Sequence, residues 1–216
     1  MQRIPEPELM TTQEQVDAYA NADFSSGDSR TVALVEQLLD ETGPLPKDPL
    51  IVDLGCGPGN ITIRLAELLP NAQVIGIDGS EPMLAVAKQR SIRTSNNLKF
   101  INLQLHDIEV ELKDLADLVV SNSLLHHLKK PDLLWSVTQS IAKPGCRVLH
   151  RDLRRPTSLA EVHRLQQQHL PKAPSVLIQD FTASLVAAYT TNEVNQQLRR
   201  AEMNRAQAWS EDDRYL

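Results

Sequence analysis

The sequence predicts an α/β fold in which helices cover both faces of a parallel sheet, and two observations support this prediction. Short apolar runs alternate along the chain with segments whose apolar residues recur at helical spacing. The first of these runs leads into glycines at alternate positions, in IVDLGCGPGN at 51–60. Strands separated by helices in this way form parallel sheets, which bind ligands at the carboxyl ends of their strands.

The predicted elements follow one another from this glycine loop. Asn60 can cap a helix that ends near Pro70. AQVIGID at 72–78 is a short buried strand, and Ser80 with Pro82 starts the next helix. The remaining predicted elements are the strands LKFINLQ at 98–104 and DLVVSN at 117–122, and helices around 13–22, 31–39, 131–143 and 191–203.

Asp53 indicates which cofactor the glycine loop takes. A dinucleotide would bring a pyrophosphate to this loop, and the carboxylate of Asp53, two residues before Gly55, would repel it. The dinucleotide fingerprint also needs glycine at position 60, where this chain has Asn60. S-adenosylmethionine carries an α-ammonium and a sulfonium, which Asp53 and the peptide groups of Gly55 and Gly57 can hold. The loop therefore favours S-adenosylmethionine.

From about Ile51 to Leu153 the chain resembles the class I S-adenosylmethionine-dependent methyltransferases. Five segments match the motifs of this family in the right order: IVDLGCGPG, VIGIDGSEPML, KFINLQL, DLADLVVSNSLLHHL and IAKPGCRVLHRDL. The resemblance implies a doubly wound, mostly parallel, seven-stranded sheet with helices on both faces and an antiparallel last strand. RAQAW at 205–209 would be the sixth strand, and because the chain stops at RYL, the seventh is expected to be very short or truncated.

The resemblance also implies which residues hold the cofactor. Asp78, at the end of the second strand, matches the acidic residue that binds both ribose hydroxyls. Asp107 matches the acidic residue that accepts the adenine amino group. The expected cofactor-binding residues are Asp53, Gly55, Cys56, Gly57, Gly59, Asn60, Asp78, Gly79, Met83, His106, Asp107, Ile108, Ser121 and Asn122.

Composition limits the class of protein. The chain has 216 residues, 41% of them hydrophobic, which suffices for one domain with a sizeable core. A formal net charge of -6 argues against a nucleic-acid partner, which usually needs a basic face. Two cysteines, Cys56 and Cys146, offer neither a disulfide framework nor metal-ligand spacing. We find no signal-peptide core and no membrane-length apolar stretch, so we expect a soluble, cytoplasmic protein without membrane contact.

We expect one methyltransferase domain over 1–216, with four parts. These are an N-terminal helical lid at 1–45, a cofactor-binding core at 46–153, a helical substrate-pocket insertion at 154–190, and the last helix with edge strands at 191–216. Two interpretations stay open for the outer parts. Tyr19 and Phe24 either close over the cofactor or pack on the sheet, and the apolar residues between Leu177 and Tyr189 form either a pocket wall or core.

Methyl transfer needs few catalytic side chains, because placing the acceptor in line with the methyl group can by itself lower the activation barrier by about 7 to 11 kcal/mol. If a base takes part, the candidate catalytic residues are His126 and His127, after the fourth strand, and Asp152, at the end of the fifth. Adjacent histidines generally point apart, so at most one is expected to face the site. We expect no metal, because no carboxylate or histidine lies at a supporting spacing from the pair.

A small molecule is the expected acceptor. The loop after the fourth strand reads SNSLL, without the proline clamp and stacking ring of nucleobase amine methyltransferases. Tyr19, Arg151 and Arg154 are the expected substrate-binding residues. A basic cluster that either attracts an acidic acceptor or forms a solvated rim consists of Lys129, Lys130, Arg151, Arg154 and Arg155. The alternatives are a methyltransferase acting on RNA or protein and a non-catalytic S-adenosylmethionine-binding protein, and the oligomeric state is left open.

Overall fold

The computed structural model describes residues 1–6, 12–94, 97–108 and 112–216. Its residues group into two compact units. The sheet unit consists of 20–122 and 137–150, and the helical unit consists of 1–19, 123–136 and 151–216. Residues 7–11 of the predicted lid lie outside the described residues. Within the described ranges we find no helix that is both long and apolar enough to cross a membrane.

The sheet unit is built on a five-stranded parallel sheet. Its strands are β1 (Leu50–Leu54), β2 (Gln73–Asp78), β3 (Leu98–Asn102), β4 (Ala116–Asn122) and β5 (Ala142–Arg151). They lie in the order β3-β2-β1-β4-β5, so β1 is central and pairs in parallel with both β2 and β4. All four residues from Ile51 to Leu54 are buried. Because successive side chains of a strand point to opposite faces, burial of all four means that both faces of the sheet are covered.

Helices account for most of the remaining described residues. In chain order they are α1 (Gln13–Asn21), α2 (Ser25–Thr42), α3 (Asn60–Leu68), α4 (Glu81–Arg90), α5 (Asp132–Ile141), α6 (Leu159–His169), α7 (Ser175–Ala187) and α8 (Thr191–Arg200). The helices predicted around 13–22, 31–39, 131–143 and 191–203 are confirmed, with shifted ends. A buried apolar cluster joins α2 and α3 to the sheet: Val35, Ile51, Ile61, Leu65, Ala66, Ala72, Val74, Leu118 and Val120.

The helical unit has its own apolar core and well-capped helices. Ser158 accepts a hydrogen bond from the backbone N–H of Glu161 at the start of α6. At the start of α8, Thr190 and Glu193 form a reciprocal capping box, in which each side chain accepts from the backbone N–H of the other residue. The core of this unit consists of Leu153, Val162, Leu165, Leu185 and Ala188.

The predicted seven-stranded sheet with an antiparallel last strand is wrong, since the sheet has five strands. RAQAW at 205–209 is not a strand, because the side chain of Asn195 takes the backbone groups that pairing would use. Its Oδ1 accepts from the N–H of Ala208 at 3.0 Å, and its Nδ2 donates to the carbonyl of Ala208 at 2.8 Å. The last three residues run antiparallel to residues 152–154 in a short bridge centred on Tyr215 and Leu153, joined by three backbone hydrogen bonds, and they add no strand to the five-stranded sheet.

The start of α3 also differs from the prediction. Gly59, in the left-handed conformation with φ of 81°, is the N-cap residue, and Asn60 is the first residue of the helix. Instead of capping, Asn60 donates from Nδ2 to Asp28 at 3.0 Å and accepts from the guanidinium of Arg90 at 2.6 Å. Asn60 therefore joins α3 to α2 and α4. The predicted helix start at Ser80 and Pro82 is confirmed.

Close packing at Gly76 in β2 generates a stability prediction. A Cβ on Gly76 would lie 2.8 Å from Cδ1 of Phe100 and 3.0 Å from Sγ of Cys56. We expect Gly76→Ala to lower the free energy of unfolding by about 1 to 3 kcal/mol, because neither neighbour can be displaced without repacking. Gly27→Ala in α2 is the matched control, since a Cβ there meets nothing within 4 Å. Urea unfolding measures both, and equal stability of Gly76→Ala and the wild type would contradict this packing.

Candidate active site

The glycine loop between β1 and α3 is held against the end of β2. The backbone N–H groups of Gly55 and Cys56 both donate to the carbonyl of Ile77, at 2.8 and 3.0 Å. Gly57 then takes a left-handed conformation with φ of 52°. A side chain at that backbone conformation would be strained, so the loop needs glycine there.

Asp78 fixes the loop from the end of β2. Its Oδ2 accepts from the N–H of Gly57 at 2.8 Å, and its Oδ1 accepts from the N–H of Ser80 at 2.7 Å. Burial raises the pKa of Asp78, and the two backbone hydrogen bonds oppose this. Each carboxylate oxygen has two acceptor positions, and among the described contacts each uses one. The second position on each oxygen can accept one of two neighbouring hydroxyls, which fits a ribose.

Asp53 is buried in β1, with 1% of its surface exposed. The hydroxyl of Thr62 in α3 donates to its Oδ2 at 2.6 Å. Burial raises the pKa of Asp53 to about 7, the hydrogen bond from Thr62 opposes the rise, and the carboxylates of Asp78 and Asp28 add to it. A cation near Asp53 would favour its charged form, so the site fits a cationic ligand better than an anionic one. Sequence reasoning missed Thr62, since a threonine inside a helix carries no signal of this contact.

The loop also leaves space for a ligand. A Cβ placed on Gly57 would meet nothing within 4 Å. A Cβ on Gly59 would instead lie 2.9 Å from both Ala87 and Phe100. Gly59 is therefore needed for packing, whereas Gly57 exposes its backbone to open space. Together with the free acceptor positions on Asp78 and the charge of Asp53, this arrangement fits S-adenosylmethionine.

The other predicted cofactor residues of the sheet unit fall into two groups. Three are buried, namely Cys56, Met83 and Ile108, and burial also raises the pKa of the Cys56 thiol. His106 and Asp107 lie in an exposed 3₁₀ turn, Leu105–Asp107, where Nε2 of His106 is 3.6 Å from Oδ1 of Asp107. Gly79 packs against the side chain of Gln104.

Ser121 and Asn122, at the end of β4, have partners inside the sheet unit. The hydroxyl of Ser121 is 2.7 Å from Nδ1 of His150, whose Nε2 is 3.0 Å from the hydroxyl of Thr138. Oδ1 of Asn122 accepts from the hydroxyl of Thr31 at 2.9 Å. These contacts tie β4 to β5, α5 and α2. His150 and Thr31 were not singled out from the sequence.

In the helical unit, Asp152 orients a 3₁₀ turn, Leu125–His127, that begins three residues after β4. Oδ2 of Asp152 accepts from the N–H of Leu125 at 2.6 Å, and Oδ1 lies 2.6 Å from Nδ1 of His126. Burial disfavours the charged imidazolium of His126, but the carboxylates of Asp152 and Glu6 outweigh it and raise its pKa. Two of the three predicted catalytic residues, His126 and Asp152, are thus in direct contact.

Glu6 brings both histidines to one carboxylate. Its Oε1 lies 3.5 Å from Nε2 of His126 and 3.2 Å from Nδ1 of His127, and its Oε2 accepts from the hydroxyl of Ser184 at 3.1 Å. The two rings have centroids 4.3 Å apart. The two rings do not point apart, because in this 3₁₀ turn they present different nitrogens to the same oxygen. That at most one histidine faces the methyl-transfer site stays a prediction. Sequence reasoning missed Glu6, since nothing in its spacing links it to residues 126 and 127.

The predicted substrate-binding residues lie in the helical unit. Arg151 is 3% exposed, pairs with Glu211 and Asp212 at 3.2 and 3.4 Å, and stacks on the ring of Tyr215. A guanidinium nitrogen of Arg154 donates to the carbonyls of Asp212 and Asp213. Both arginines therefore bind residues 211–215, which we call the C-terminal tail. Burial raises the pKa of Tyr19, and the charges of Asp180 and Glu6 add to this effect.

Relatives of known function match parts of the chain. A malonyl-[acyl-carrier protein] O-methyltransferase of Bacillus cytotoxicus is 42% identical over 79 residues, which are 36% of this chain and 26% of that protein. A trans-aconitate 2-methyltransferase of Methylobacterium nodulans is 32% identical over 148 residues, which are 67% of this chain and 51% of that protein. The chain thus spans about half or less of the length of these relatives.

Solved structures share the fold. The plantazolicin methyltransferase BamL, in complex with a triazolic desmethylPZN analog and SAH, gives a TM-score of 0.67 at 18% identity, over 88% of this chain and 68% of that chain. A phosphoethanolamine N-methyltransferase 2 of Haemonchus contortus, also with S-adenosylhomocysteine, gives 0.59 at 21% identity, over 80% and 36% of the two chains.

The family assignment follows from the sequence match and agrees with the loop geometry. A family model described as a methyltransferase domain matches residues 47–208, which is more than half of the chain. This range includes the glycine loop, Asp78, and the turn with the two histidines. The chain therefore belongs to the class I S-adenosylmethionine-dependent methyltransferase family.

Proposed function

We propose that this protein transfers a methyl group from S-adenosylmethionine to a small acidic molecule. The observation that supports this most is the contact between Gly57 and Asp78, which fixes an open glycine loop beside a carboxylate with two remaining acceptor positions. When bound, S-adenosylmethionine would supply a methyl group on a positively charged sulfur; an acceptor oxygen would bond to the methyl carbon, and S-adenosylhomocysteine would leave with the electron pair of the broken carbon–sulfur bond. Preorganised hydrogen-bond partners of this kind need no rearrangement when the ligand enters.

The residues of the sheet unit divide the work of holding the cofactor. Asp78 would accept the ribose hydroxyls, and the carboxylate of Asp53 would favour the positive charge of the methionine half. The backbone of Gly57 would allow close approach, because its Cβ position is open. The remaining predicted cofactor residues stay proposals of the same kind, with Asn60 acting through Asp28 and Arg90.

The acceptors of the related methyltransferases support an acidic acceptor for this protein. The malonyl group and trans-aconitate, which the names of these relatives give as acceptors, both carry carboxylates. In the helical unit, Asp152 holds His126 in one orientation, so that Nε2 faces Glu6. We propose His126, His127 and Asp152 as the catalytic residues, which would contact the acceptor and, if a base takes part, include the group that takes its proton. Arg151 and Arg154 can contribute only if an acceptor shares or displaces their contacts with the tail.

Substitution of Asp78 tests its role in cofactor binding. We expect Asp78→Ala to weaken the binding of S-adenosylmethionine and S-adenosylhomocysteine tenfold or more, because it removes charge-assisted hydrogen bonds worth about 1.5 to 3 kcal/mol. Asp78→Asn, which keeps one carbonyl acceptor, should fall between Ala and wild type. Glu81→Ala, an exposed acidic residue at the start of α4, is the control and should bind normally. Calorimetry measures all four proteins, and unchanged affinity in Asp78→Ala would refute the assignment.

The pKa of Asp53 predicts how cofactor affinity depends on pH. With a pKa of about 7, the carboxyl is protonated and neutral at pH 6 and charged at pH 8. A cation binds the charged form better, so affinity for S-adenosylmethionine should rise with pH through 7, by at most about tenfold per pH unit.

Two variants test whether the titration of Asp53 causes this rise of affinity with pH. Asp53→Asn should remove this rise, and Thr62→Val should move it to higher pH, because the hydrogen bond from Thr62 lowers the pKa of Asp53. Calorimetry between pH 6 and pH 8 measures the three proteins. A rise that persists unchanged in Asp53→Asn would assign it to another group.

The acceptor class can be tested directly on the purified protein. We expect small di- and tricarboxylic acids, and a thioester-linked malonyl group, to yield S-adenosylhomocysteine together with a methyl ester, detected by mass spectrometry. The corresponding amides should give no methylated product, since they lack the carboxylate oxygen. Turnover on RNA or protein alone would contradict the proposal, and so would cofactor binding without turnover on any acid.

A further inference from the structure

We propose that Glu6, His126 and His127 bind a divalent first-row transition-metal ion, with Zn²⁺ as the best fit. Among the described residues, these three side chains offer one donor atom each, and all three atoms lie within 4.8 Å of one another. Two imidazoles and one carboxylate are a ligand set found in catalytic zinc and non-haem iron sites. The donor nitrogens disfavour Mg²⁺ and Ca²⁺, which prefer oxygen.

The distances match a tetrahedral centre. Bonds of about 2.0 to 2.1 Å from Zn²⁺ to nitrogen or oxygen place neighbouring ligand atoms about 3.3 to 3.5 Å apart. Oε1 of Glu6 lies 3.5 Å from Nε2 of His126 and 3.2 Å from Nδ1 of His127. Oε1 of Glu6 therefore already lies at the separation from each ring nitrogen that the ion requires, and the two nitrogens lie within 4.8 Å of each other.

The buried oxygen of Glu6 gives independent support. The side chain is only 9% exposed, and Oε1 has no hydrogen-bond partner among the described residues although two ring nitrogens are close. Neither nitrogen thus has the alignment of a donor toward this oxygen. Around a metal ion the two ring nitrogens and the Glu6 oxygen would each direct a lone pair at the ion. They would therefore not need to be aligned with one another as a donor and an acceptor are. A buried carboxylate oxygen without a hydrogen-bond donor is costly, and a cation at this point would remove the cost.

Asp152 supplies the outer partner that metal-binding histidines usually have. Its Oδ1 lies 2.6 Å from Nδ1 of His126, while Nε2 of the same ring faces Glu6. A ring that donates Nδ1–H to a carboxylate presents the lone pair of Nε2 to a metal.

The site would have an open coordination position. Zn²⁺ bound by three protein ligands takes a fourth from water or from an oxygen of a substrate. The ion would then hold the two histidines as ligands, and neither would act as a free base. Metal binding does not depend on the proposed methyl transfer, so the two proposals can fail separately.

The experiment is a calorimetric titration of the full chain with ZnCl₂ after removal of metal by EDTA. We expect one ion per chain, and at least tenfold weaker binding in Glu6→Gln and in His127→Gln. Asp152→Asn should keep the stoichiometry and weaken binding about 10- to 100-fold, as losses of outer partners do. Co²⁺ should give a visible absorption band of tetrahedral intensity, which Glu6→Gln should lose.

His169→Gln is the matched control. His169 also contacts a carboxylate, at 3.0 Å from Asp213, but within the described part of the chain it belongs to no group of three potential metal ligands. It should bind Zn²⁺ like the wild type. Circular dichroism and melting temperature establish that the variants are folded, and Zn²⁺ should raise the melting temperature of the wild type and not that of Glu6→Gln. The proposal is overturned if the wild type shows no saturable binding, if Glu6→Gln binds equally well, or if His169→Gln is weakened as much.

Discussion

The bond from the backbone N–H of Gly57 to the carboxylate of Asp78 is the interaction on which the cofactor loop depends. β1 and β2 are neighbours in parallel register, with Leu54 paired to Ile77, so the residues after both strands meet at one edge. A left-handed residue at position 57 then directs its N–H at Asp78. This arrangement gives the loop its shape before any ligand binds, and it uses only half of the acceptor capacity of the carboxylate.

The part of the molecule that the sequence predicted well is the part encoded locally. The strand 50–54, the glycines and Asp78 lie within 30 residues of one another, and each signal has a direct physical cause. Apolar runs predict buried strands, and a glycine with a positive φ is needed where a loop must turn. The same local reasoning erred at Asn60, because the left-handed Gly59 forms the helix start and frees the amide to bind Asp28 and Arg90.

The parts that the sequence did not predict depend on contacts between distant residues. Glu6 is separated from His126 and His127 by about 120 positions, and no spacing rule connects them. The missing sixth strand has a similar cause, since a single side chain, Asn195, takes the backbone groups of Ala208. No carboxylate lies at a metal-ligand spacing from the histidine pair in the sequence. In the fold, however, the carboxylate of Glu6 lies beside both rings.

Two aspartates at strand ends show how the same residue type acquires different chemistry. Asp78 ends β2 and is met by two backbone N–H groups, so its charge is shared among donors and its remaining lone pairs suit hydroxyls. Asp152 follows β5 and is met by one backbone N–H and one imidazole. The imidazole of His126 has a second nitrogen, so the contact of Asp152 with Nδ1 also fixes the direction of Nε2, which faces Glu6. The end of the strand fixes the position of each carboxylate. The loop that faces the carboxylate then determines its role: Asp78 keeps lone pairs for a ligand, whereas Asp152 orients His126.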